Sequence, residues 1–119
     1  MLKYTIEKHA NGAQVVTFSG RVTFGRQTEQ CRGTVKELVA AGERRFVFDL
    51  TGVEYVDSAG IGFLVSCLTT LGQAGAKLRL ASTPDRVRHV LEITRLDTVF
   101  EICKNREAAL GDFKDPQSP

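Results

Sequence analysis

No run of apolar residues in these 119 positions approaches the ~20 that a membrane-spanning helix needs. The first residues, Met1-Leu2-Lys3-Tyr4, hold no apolar signal-peptide core, so the expected home is the cytoplasm. Excess charge is missing too: 16 basic and 14 acidic residues leave a net charge of +2. That balance argues against direct nucleic-acid binding, which needs a basic face or stripe. Cysteine is sparse. Cys31, Cys67 and Cys103 are odd in number and far apart, which excludes a disulfide framework and a zinc pattern. Their equal spacing of 36 is not a repeat, because the flanking residues do not match at that shift. Cys31 and Cys67 fall on apolar faces, where a thiol acts as a small hydrophobe. His9 and His89 have no companion ligands nearby and read as surface residues. No metal site and no cofactor are expected.

What is present suits one globular domain. A chain this long buries ~65% of the surface its unfolded form would expose. Residues 1–112 are expected to form the domain and residues 113–119 a frayed tail.

The pattern of apolar residues orders the elements. Residues 4–8 alternate as a strand, Asn11-Gly12 is a hairpin signal, and Val15-Val16-Thr17-Phe18 begins a second strand ending at Gly20. Thr28, Cys31, Val35, Leu38 and Val39 mark one face of a helix over residues 26–41, with Gly42 as its stop. Phe46-Val47-Phe48-Asp49-Leu50 reads as a buried parallel strand, and residues 51–56 as a connection anchored by Val53, Tyr55 and Val56. A long helix follows Asp57-Ser58, ending at Gly72 and Gly75. Residues 77–81 form the next strand. Ser82-Thr83-Pro84-Asp85 is a helix start with hydroxyl caps, residues 98–102 form a last strand, and Asn105 caps a short final helix. The order is β-β-α-β-α-β-α-β-α. It implies an α/β fold whose mixed sheet is parallel at its centre, with an antiparallel edge supplied by the first strand.

The informative stretch is Val56-Asp57-Ser58-Ala59-Gly60-Ile61-Gly62. Ser58 stands where an N-cap belongs, its hydroxyl placed to accept from an amide one turn in. Gly60 and Gly62 run against helix propensity and clear side chains beside Ser58, so that another backbone can come close. A phosphate on Ser58 would lie at the positive end of the helix dipole. On residue type alone two readings stand, a plain cap or a modification site. Enzymatic readings are poorer. Asp49 and Asp57 could suggest an acid pair, but Asp49 ends a buried strand. Ser58 lacks a nucleophile elbow, because residue 56 is valine. Arg86, Arg88 and Arg95 read as a solvated helix face.

Taken with Phe48-Asp49-Leu50, Val53, the run Val16 to Gly20, Lys77-Leu78 and Leu96-Asp97-Thr98-Val99-Phe100, this stretch resembles the bacterial anti-sigma factor antagonists, single STAS domains, over residues 4–110. The resemblance implies a non-enzymatic regulator of sigma-factor-dependent transcription. It implies that Ser58 is phosphorylated by an anti-sigma factor with serine-kinase activity, that the unmodified chain binds this partner, that the phosphorylated chain lets go, and that a phosphatase resets it. The implied partner surface is Asp57, Ser58, Ala59, Gly60 and Gly62, with Arg21 and Thr23 from the loop after the second strand. The alternative is a STAS scaffold subunit in a stress-signalling or lipid-transport assembly, without a phospho-switch. Two stretches depart from the family pattern. Gly20-Arg21-Val22-Thr23 has Thr23 where the family often has an acid, and Thr94-Arg95-Leu96 has Arg95 where the family often has glycine.

Overall fold

In a computed structural model, described here over residues 2–111, one five-stranded sheet runs in the order β1-β2-β3-β4-β5. The expected tail from residue 113 lies outside the described residues. Strands β1 (Lys3–Lys8) and β2 (Gln14–Val22) form the antiparallel pair. Their connection is closed by Asn11, whose side-chain oxygen accepts from the Ala13 amide at 2.9 Å, and by Gly12 at φ 95°, a conformation that favours glycine. Strands β3 (Arg45–Val56), β4 (Lys77–Ala81) and β5 (Glu101–Cys103) continue in parallel.

Parallel strands laid down in one direction with crossovers of one hand bring their connecting helices to one face. Helices α1 (Arg26–Ala40), α2 (Ser58–Gln73) and α3 (Asp85–Ile93) accordingly share a core with Phe18, Phe46, Phe48, Leu78 and Leu80. Alternation along the strands sends Val15, Val47 and Ala81 to the opposite face. There the short helix α4 (Arg106–Leu110) covers them with Ala109. Asn105 caps α4 as its sequence suggests, accepting from the Ala108 amide at 2.8 Å.

The expected α/β class, mixed sheet and antiparallel edge are all present. Four element ends differ. Residues 51–56 are not a loose connection but the second half of β3, paired with β2 as far as Val22↔Val56. Gly52 lies within this paired half. In the fold it is a close approach, because a Cβ there would sit 2.9 Å from the Ser19 Cβ. Gly20 does not end β2; it takes a positive φ of 91° at a register shift, and the strand runs on to Val22. The strand expected over residues 98–102 lies later and is shorter: Leu96–Thr98 form a 3-10 turn and β5 covers Glu101–Cys103. At α3, neither Ser82 nor Thr83 caps the helix, whose N-cap is Pro84.

Candidate functional site

The site is built where β3 turns into α2. Val56, the last residue of β3, is buried beside β2, and the chain must leave the sheet at once to reach the helical layer. Asp57 makes that turn in extended conformation. Its Oδ1 accepts from the Gly60 amide at 2.8 Å and its carbonyl accepts from the Ile61 amide at 2.9 Å. Its own amide donates to the Val22 carbonyl at 3.4 Å, tying the helix start to the end of β2. Asp57 is therefore the N-cap, and the capping role expected of Ser58 falls one residue earlier. The physical reason is that aspartate caps as well as serine, and the end of β3 sets which of the two meets the Gly60 amide. The sequence pointed to Ser58 as the cap; the length of β3 places Asp57 there instead.

Ser58 is consequently the first helical residue. It is exposed, and among the described residues its hydroxyl makes no hydrogen bond. Ala59 beside it is exposed too. The two glycines do different work. Gly60 is buried, and a Cβ there would fall 1.9 Å from the Val22 carbonyl oxygen and 3.1 Å from Val56 Cγ1. The backbone it admits belongs to this chain, so Gly60 is a packing residue and not part of an open partner surface. Gly62 is exposed with nothing within 4 Å of its missing Cβ, and it does leave bare helix surface near Ser58.

The loop after β2 lies beside this helix start through Val22. Arg21 is exposed, its guanidinium 4.7 Å from the centre of the Tyr55 ring. Thr23 is half-buried and its carbonyl accepts from the Thr28 hydroxyl at 3.2 Å. Between Thr23 and Gly25 stands Phe24, 79% exposed, which the sequence reading passed over. The available signal was an aromatic residue in a short loop next to glycine, with no apolar periodicity to bury it.

Asp49 is not half of an acid pair with Asp57. It points to the other face of the sheet, where Arg106 holds its carboxylate at 2.9 Å and the Thr51 hydroxyl and amide donate to it. Burial pushes the Asp49 carboxyl up, but these hydrogen bonds and the Arg106 charge together outweigh it and leave the group below the ordinary carboxylate range. A cleft of about 530 Å³ opens between Thr51, Val53 and Glu54 on β3 and Pro84, Asp85 and Arg86 at the start of α3. Arg86 is spent on the Glu54 carbonyl at 2.9 Å, while Arg88 and Arg95 are exposed. Cys31 and Cys67 are fully buried, and burial pushes each thiol up to about 12, which suits inert core packing. Among the described residues no group of three His, Cys, Asp or Glu side chains could hold a metal ion, and no helix is long and apolar enough to cross a membrane.

A five-stranded mixed sheet with one antiparallel edge and helices packed on it is the fold of solved anti-sigma factor antagonists. The chain belongs to the STAS domain family, whose profile matches residues 4–109, and within it groups with the anti-sigma factor antagonists. It is 32% identical over 113 residues to BtrV of Bordetella bronchiseptica, covering 95% of this chain and 96% of that protein. It is 40% identical over 63 residues to the anti-sigma-B factor antagonist of Listeria monocytogenes, covering 53% of this chain and 54% of that one. Among solved structures, the anti-sigma factor antagonist SpoIIAA of Bacillus matches the fold in two states. The unphosphorylated form has a TM-score of 0.71 at 15% identity, over 88% of this chain and 91% of that one. The phosphorylated form also has a TM-score of 0.71, at 17% identity over 89% and 96%.

Proposed function

We propose that this chain is a phospho-switched binding protein of the cytoplasm. Unmodified, it binds an anti-sigma factor that is also a serine kinase, and so frees a sigma factor for transcription. Phosphorylation of Ser58 by that partner releases it, and a phosphatase restores the binding form. The reading assigns the chain a binding role and no reaction of its own.

The observation that carries the proposal is the division of labour at the start of α2. Asp57 satisfies the Gly60 amide and Gly60 packs on Val22, so the Ser58 hydroxyl is exposed and structurally unemployed. A phosphate there would add about −1.5 to −2 charges without removing the cap or disturbing the core. It would stand at the positive end of the α2 dipole, which offsets the repulsion from the neighbouring Asp57 carboxylate at the N-cap. The fold can therefore carry the modification unchanged. A partner surface closed over Ser58 cannot, because it must desolvate that charge or face it with a cation. A relative of the same fold solved in both phosphorylated and unphosphorylated forms supports the reading.

The test is incubation with ATP and each anti-sigma factor kinase candidate from the same genome, followed by mass spectrometry. The expected result is one phosphate on Ser58, and partner binding that is kept in Ser58→Ala and lost in Ser58→Asp. Labelling that persists in Ser58→Ala refutes the site, and full-strength binding by Ser58→Asp refutes the switch.

A further inference from the structure

The loop that joins β2 to α1 carries an aromatic ring out in water on a backbone tied down on both sides. Phe24 is 79% exposed, although an exposed phenyl ring is unfavourable in water and contributes nothing to this core. Its flanks are tied down. Val22 is buried, and its carbonyl packs on Gly60 and accepts from the Asp57 amide. On the other side Thr28, only 4% exposed, places its hydroxyl 2.9 Å from the Gly25 carbonyl and 3.2 Å from the Thr23 carbonyl, bracketing Phe24. The Gly25 carbonyl also accepts from the Glu29 amide at 3.2 Å. A buried hydroxyl spent on two loop carbonyls is a device for holding a backbone shape. With the backbone held in this way, only the two side-chain torsions of Phe24 remain to be ordered on binding, a small entropic cost that suits an interface anchor.

Charge flanks the ring. Arg21 precedes it by three positions and Arg26 follows by two; both are exposed, and neither has an ion pair among the described residues. The Tyr55 ring beneath the Arg21 guanidinium limits its freedom while leaving its donors available. Through Val22 the loop shares its footing with the helix that begins at Ser58, so a surface closing over Ser58 meets this loop as well.

We infer that Phe24 is the anchor by which this chain selects its partner, inserting into an apolar socket whose rim carries carboxylates facing Arg21 and Arg26. The occupant is the kinase-active anti-sigma factor of the proposed function, and the inference rests on that reading. A lipid surface fits less well. Stable membrane attachment takes two strong signals, such as an acyl chain with a polybasic patch, and one phenyl ring with two guanidiniums supplies neither.

The experiment uses the full chain as phosphoacceptor for each anti-sigma factor kinase candidate from the same genome. Phe24→Ala is expected to raise KM for this chain about 30-fold, as loss of an interface anchor does, with kcat at saturation within about twofold of the parent. Phe24→Tyr should keep most of the affinity. Arg21→Ser with Arg26→Ser should weaken binding and flatten its dependence on salt. Because Phe24 buries so little, the urea midpoint of Phe24→Ala should match the parent, which separates lost contact from lost fold. If Ser58 is labelled and KM is unchanged in Phe24→Ala, the anchor is refuted and the switch stands. If the parent chain is neither bound nor labelled, the switch fails and the anchor with it. Phe24-dependent sedimentation with phosphatidylserine vesicles, alongside an unchanged KM, would assign the ring to lipid and overturn the proposal.

Discussion

The same substitution at two glycines of α2, Gly60→Ala and Gly62→Ala, should move stability in opposite directions. At position 60 the new methyl group would sit 1.9 Å from the Val22 carbonyl oxygen, 2.8 Å from the Val22 carbonyl carbon and 3.1 Å from Val56 Cγ1. The first contact is about 1.5 Å short of ordinary van der Waals separation. The atoms in the way are main chain, so no rotamer change relieves them. The helix start must lift from the end of β2, and the bond from the Asp57 amide to the Val22 carbonyl, already 3.4 Å, goes with it. Overpacking of this kind costs about 3 kcal/mol, the upper part of its usual range because the wall is backbone. Alanine's better helix propensity returns about 1 kcal/mol. The net loss is about 2 kcal/mol, or roughly a 30-fold fall in the folding equilibrium. At position 62 nothing lies within 4 Å of the added methyl group, so the propensity term acts alone and should stabilise by about 0.5–1 kcal/mol. Urea unfolding measures both, read as a change in midpoint at constant slope. Midpoints that shift the same way in the two variants, or a Gly60→Ala chain as stable as its parent, would refute the packing argument.

Acid should weaken the fold through Asp49. Its folded pKa is lowered, so its contribution is fully present above the unfolded value of about 3.9 and is lost as pH falls through the folded value. Urea midpoints should therefore drop below about pH 4, and Arg106→Gln should soften that acid limb. At neutral pH the variant should lose only about 1 kcal/mol, because Arg106 is 39% exposed and the Thr51 bonds remain. An acid limb unchanged in Arg106→Gln would show that the pair contributes nothing. Arg95 occupies the left-handed region at φ 63°, the position where the resemblance led one to expect glycine. Arg95→Gly should therefore stabilise by a few tenths to about 1 kcal/mol in the same urea assay, strain relief of about 1 kcal/mol being partly offset by unfolded-chain entropy. Destabilisation by Arg95→Gly would mean that the arginine side chain contributes more than its backbone strain removes.

Local chemistry made much of this fold legible. Asn11-Gly12 marks a turn wherever two strands flank it, Asn105 caps whatever helix follows, and the continuous apolar run at 46–50 announces a buried strand. Such signals act within a few residues, so a linear reading captures them. The regulatory stretch was legible in the same way, as a helix start rich in glycine with Ser58 at its edge, and its likeness to a known family gave that serine a role. The residues that the linear reading misassigned are those whose meaning depends on a neighbour distant in sequence. Residues 51–56 read as a connection until β2 is found paired along them, and Gly60 as open surface until the Val22 carbonyl is found where its side chain would be. Phe24 carried no periodic signal, and its exposure follows from where β2 ends and how Thr28 holds the loop. By itself the sequence determined the elements, their order and the switch candidate Ser58. Only the tertiary structure decided that Asp57 does the capping. β2 and β3 pair as far as Val22 and Val56, and that register sets which residue first meets the free amides of α2 and leaves the Ser58 hydroxyl exposed.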